Sequence, residues 1–108
     1  VEPDAVLLQR IVERVVEAVK PLRIVLFGSA ARGTMGPDSD IDLLVVMPDG
    51  CDRNRTAGEL YVKVRGIGRP MDCVVTTESH LRKHGSDPWL VFREALEQGR
   101  EIYRAVPA

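Results

Sequence analysis

A chain of 108 residues, 44% of them hydrophobic, can bury one core but has no room for a core plus a separate substrate-binding domain. Its 15 basic and 16 acidic residues leave a net charge of −1, which argues against a general basic surface for nucleic acid. Cys51 and Cys73 have neither metal nor disulfide-framework spacing, and no apolar run approaches the roughly 18 residues a membrane span needs. The expectation is a single domain over residues 1–108 with free thiols, no membrane and no nucleic-acid partner. A cytoplasmic location is expected, since no signal-peptide pattern opens the chain. Position 1 is Val1 and not methionine, so processing or trimming of the first residues is expected as well.

Pro3 and Asp4 suit the first turn of a helix. Leu7, Leu8, Ile11, Val12, Val15, Val16 and Val19 then recur at three- and four-residue spacing down to Pro21. Such a wide stripe packs on a sheet more often than it serves a partner, because a small domain must bury much of its apolar surface.

The stretch from Arg23 to Met47 organises the rest. The apolar run Ile24-Val25-Leu26-Phe27 reads as a strand, Gly28-Ser29 opens a short helical turn, and Asp40-Ile41-Asp42 leads into a second apolar run from Leu43 to Met47. Side chains alternate faces along a strand, so Asp40 and Asp42 point the same way with Cα atoms about 6.7 Å apart. Paired carboxylates repel, and a metal, a base partner or a shared proton relieves that repulsion. Leu44 and Val46 continue the same face as hydrocarbon, which puts the acids at the rim of a packed sheet. A glycine at a strand end lets the backbone approach a ligand, and the N–H groups of a following helical turn are anion donors. The Ser29 hydroxyl and the Arg32 guanidinium add further donors suited to phosphate. Alone, a Gly-Ser is usually a turn and an Asp-x-Asp a solvated loop; flanked by strands on both sides, together they describe a nucleotide and metal site.

Pro48 to Asp52 is a turn-rich connection. In the segment from Arg53 to Gly66, Leu60, Val62 and Val64 alternate as in a strand, whereas Ala57, Leu60, Tyr61, Val64 and Ile67 fit a helical face. Its length favours helix. Gly66 and Gly68 end it, and Met71 to Thr76 reads as a third strand whose only charge is Asp72. A strand beside the Asp40-Asp42 strand would lie about 4.8 Å away and let the three acids converge. His80 and His84 stand four apart, yet no Glu follows the first and no Cys stands at ligand spacing, so surface histidines are expected. Ser86-Asp87-Pro88 starts a closing helix with Trp89, Phe92, Ala95 and Leu96 on one face; Gly99 interrupts it, and Ile102-Tyr103 resumes.

Gly28-Ser29, the ten residues after it, Asp40-Ile41-Asp42 and the third acid Asp72 resemble the nucleotidyltransferase signature of the DNA polymerase beta superfamily. In its small size and its Ala31-Arg32-Gly33 continuation the chain is most similar to the minimal nucleotidyltransferases, often antitoxins paired with a helical HEPN protein. The resemblance runs from about Leu22 to Tyr103. It implies an α+β nucleotidyltransferase fold: a small mixed sheet of about three strands with helices packed on it, the closing helix included. It implies that Asp40, Asp42 and Asp72 hold two Mg²⁺ ions, that Gly28, Ser29 and Arg32 hold the phosphates, and that Asp72 takes the acceptor's proton. The implied reaction moves a nucleoside monophosphate, AMP from ATP, to a hydroxyl of a HEPN-type partner. Ala30 departs from the larger or charged side chain of many relatives, which bears on the loop's phosphate contact. Two alternatives stand beside this reading: a binding module that neutralises a partner by contact alone, and a transferase acting on a small-molecule hydroxyl.

Overall fold

The computed structural model describes residues 5–28, 31, 40–84 and 91–105, the side chains of 91–94 excepted. The two apolar runs of the central stretch become β1 (Arg23–Phe27) and β2 (Ile41–Met47), paired antiparallel from Arg23 opposite Val46 to Phe27 opposite Asp42. Around them lie α1 (Ala5–Val19), α2 (Arg53–Lys63), β3 (Met71–Thr77), α3 (Glu78–His84), α4 (Val91–Gln98) and β4 (Arg100–Arg104). The strands form one mixed sheet in the order β3-β2-β1-β4, with β3 parallel to β2 and the other pairs antiparallel. Parallel neighbours need a long crossover, and α2 is that crossover.

Both faces of the sheet are covered, which is why β2 is apolar at nearly every position. Ile41, Leu43, Val45 and Met47 join Ile24, Leu26, Ile11, Val15, Leu60 and Ile67 in one core under α1 and α2. Leu44 and Val46 join Val25, Phe27, Leu81 and Ala95 in a second core under α3 and α4. The stripe predicted for the first helix serves the first core: Ile11 and Val15 are fully buried, and Leu7, Leu8, Val12, Val16 and Val19 pack at its margin.

The segment from Arg53 is helical, as its length predicts. Asp52 caps it, accepting a hydrogen bond from the Arg55 N–H at 3.1 Å. At the other end the Arg14 guanidinium donates to the carbonyls of Lys63 (3.3 Å) and Arg65 (2.9 Å), satisfying acceptors that a helix terminus leaves open and fixing α1 to α2. Of the face predicted for this helix, Leu60 and Ile67 are buried, while Ala57 is exposed and Tyr61 projects to solvent beneath Arg65.

Two expectations are corrected. Among the described residues the sheet has four strands, not about three, because Ile102 and Tyr103 belong to β4 and not to a resumed helix. Hydrogen-bonding to the free edge of β1 satisfies that backbone better than a helical extension beyond Gly99. Within α4, Ala95 is buried but Leu96 is 43% exposed, so the two do not share a face. The predicted helix starts at Pro3-Asp4 and Ser86-Asp87-Pro88, and Trp89, lie outside the described residues, as does the side chain of Phe92. Among the described residues no helix is long and apolar enough to cross a membrane.

Candidate active site

Asp42 occupies the second position of β2, half-buried, on the face it shares with Leu44 and Val46. Opposite it, β1 ends at Phe27 and the chain turns at Gly28 with φ +69°, a conformation that favours glycine. A methyl group on Gly28 would overlap the Asp42 carboxylate. The glycine therefore leaves room for two things: the left-handed backbone and the carboxylate packed against it.

Asp72 enters from β3. The parallel register sets Asp42 against Asp72, and partners in a ladder share a face, so the two carboxylates emerge side by side on strands about 4.8 Å apart. Asp40 stands two residues ahead of Asp42, where the backbone is already tied to the approach of β3 by a 2.9 Å hydrogen bond from Ile41 N–H to Pro70 C=O. Asp40 and Asp72 are exposed. Arg69, half-buried at that approach, adds a cation that the sequence reading passed over, since only the strand register brings it to this end of the sheet.

The described parts of the predicted site are thus Gly28, Asp40, Asp42 and Asp72. Ser29 and Arg32 lie outside the described residues. Among the described residues no three His, Cys, Asp or Glu side chains are gathered closely enough to hold a metal ion. Drawing exposed carboxylates together costs Coulomb repulsion, which a divalent cation would offset. The donor set suits Mg²⁺, which prefers hard oxygen ligands and keeps waters that phosphate can replace.

Cys73, next to Asp72 but on the other face, is not a rival nucleophile. Burial, and secondarily the Asp72 charge, push its thiol up to about 11, so it stays protonated at neutral pH. A groove of about 510 Å³ between α1 and β4, lined by Leu8, Val12, Arg100 and Ile102 among others, contains none of Asp40, Asp42 and Asp72.

The sequence profile of the family described as Nucleotidyltransferase domain matches residues 8–102. Three solved structures are similar to the chain, each over 91% of its length. One is a candidate nucleotidyltransferase from Sulfolobus solfataricus, 24% identical with a TM-score of 0.62 over 78% of that chain, a likeness of fold. Another is a toxin-antitoxin with AMP-PNP, 25% identical with a TM-score of 0.64 over 73% of that chain. The third is a mutant of the toxin-antitoxin MntA-HpeT, 25% identical with a TM-score of 0.68 over 73% of that chain. A comparison with curated proteins returns no match.

Proposed function

Because the chain belongs to the nucleotidyltransferase domain family, we propose that it moves AMP from ATP to a hydroxyl of a helical HEPN-type partner, acting as the antitoxin of a toxin-antitoxin pair. The observation that carries this reading is the register of Asp42 against Asp72, with Gly28 holding open the space beside Asp42. The likeness to a toxin-antitoxin with AMP-PNP supports both the adenine nucleotide and the kind of partner.

Gly28 and Ser29 would bind the outer phosphates through backbone N–H groups and a hydroxyl, with Arg32 steadying the departing pyrophosphate. Asp40, Asp42 and Asp72 would hold two Mg²⁺ ions, which would supply neutralisation of the triphosphate and acidify the attacking hydroxyl. Asp72 takes the proton of that hydroxyl as its oxygen bonds to the α-phosphorus and the bond to the β-phosphate oxygen breaks. The products are a nucleotidylated acceptor and pyrophosphate. Positioning and charge neutralisation carry the rate, without a covalent enzyme intermediate.

The test is incubation with labelled ATP and Mg²⁺, with and without a helical protein encoded beside this chain. Label should reach the partner and be lost with Asp42→Asn, by at least about a hundredfold. An Asp42→Asn chain that neutralises the partner as fully as the parent would instead establish the contact-only module.

A further inference from the structure

The two histidines of the chain, His80 and His84, lie one turn apart on α3, at the end of β3 remote from the acids. Thr77, where β3 ends, is about 17 Å along the strand from Asp72. The rings are in contact: their centroids are 4.6 Å apart with planes tilted by 47°, and both residues are half-buried. Two imidazoles on one tetrahedral Zn²⁺ at about 2.0–2.1 Å hold their centroids roughly 5.2 Å apart. The observed separation is a few tenths of an ångström short of that, within reach of a small side-chain rotation.

We propose that His80 and His84 form a two-imidazole site for a borderline divalent metal such as Zn²⁺, separate from the acidic site. Spacing alone favoured plain surface histidines; the ring contact adds that both imidazoles lie within reach of a single ion. Neutral imidazole suits zinc, whereas the oxygen ligands of Asp42 and Asp72 suit magnesium, so the two ends of β3 select different ions. Among the described residues no third His, Cys, Asp or Glu completes the set, which leaves the remaining coordination positions to water.

The surrounding charges act in two directions. Burial holds His80 below the usual histidine range, aided by His84, Arg53 and Lys83, which favours the neutral ring that a metal binds. The same Arg53 and Lys83 repel a cation, which weakens the site.

Tag-free protein titrated with ZnCl₂ alone, followed by the imidazole ¹⁵N resonances, tests this on the parent chain. Both imidazoles should shift together and saturate at a single midpoint, while MgCl₂ leaves them unmoved. His84→Gln and His80→Gln should each weaken the response at the remaining imidazole at least about tenfold, because chelation makes the second bond intramolecular. The proposal is overturned if only one imidazole responds in the parent, or if either variant binds Zn²⁺ at the remaining histidine as tightly as the parent does.

Discussion

Gly28 is the residue on which most converges. An alanine there would take on the left-handed backbone penalty of about 1–2 kcal/mol and would push its methyl into the Asp42 carboxylate. Gly28→Ala is therefore expected to lower stability by about that amount while cutting AMP transfer by at least about tenfold, since the displaced carboxylate is a proposed metal ligand. Denaturant unfolding and the labelled-ATP assay read the two effects separately. Transfer at the parent rate would show that the Asp42 position is not critical. The sequence made this glycine legible as a site of close backbone approach, but not that Asp42 is what approaches it, because that contact spans two strands.

Among the elements, β4 shows where a sequence stops being readable. A bulge between Ile24 and Val25 shifts its register, so that Tyr103 faces Ile24 and Glu101 faces Val25, with Ile102 left between them. Two neighbouring apolar residues flanked by Arg100, Glu101 and Arg104 show no alternation, and after a helix they read as more helix. The longer elements were legible because their periods are unbroken: a seven-residue β2 with every residue but Asp42 buried, and a stripe over four turns of α1. What joins α4 to β4 is Gly99, whose added methyl would strike the Ala95 carbonyl and a Val25 methyl. Gly99→Ala should thus destabilise by about 1–3 kcal/mol through overpacking. For a domain of this size that lowers the melting temperature by roughly 5–20 °C. An unchanged melting temperature would mean that the α4-to-β4 link has space to yield.

For the molecule as a whole, stability carries an alkaline signature from Cys73. Its thiol is pushed up to about 11 in the fold, against roughly 8.5 in an unfolded chain. Below pH 8.5 both states are protonated and nothing is lost; between roughly pH 8.5 and 11 only the unfolded chain sheds its proton, and the fold loses stability on the order of 2–3 kcal/mol. Denaturation curves of the parent and Cys73→Val, compared from pH 8 to 11, should diverge with the parent falling faster. Parallel curves would mean that Cys73 titrates alike in both states.

The hydrophobic pattern of β3 does not choose which side Asp72 takes, because Cys73 and Val75 pack on one face of the sheet and Val74 on the other. What chooses it is the ladder to β2, anchored where Ile41 meets Pro70. Gaining or dropping a single residue in the turn from Val64 to Pro70 could leave a strand that still packs on either side while its aspartate faces the wrong way. Among descendants of such a chain, catalysis would be more sensitive to indels than folding, and a change in loop length would be a simple route by which an enzyme of this architecture becomes a mere binder.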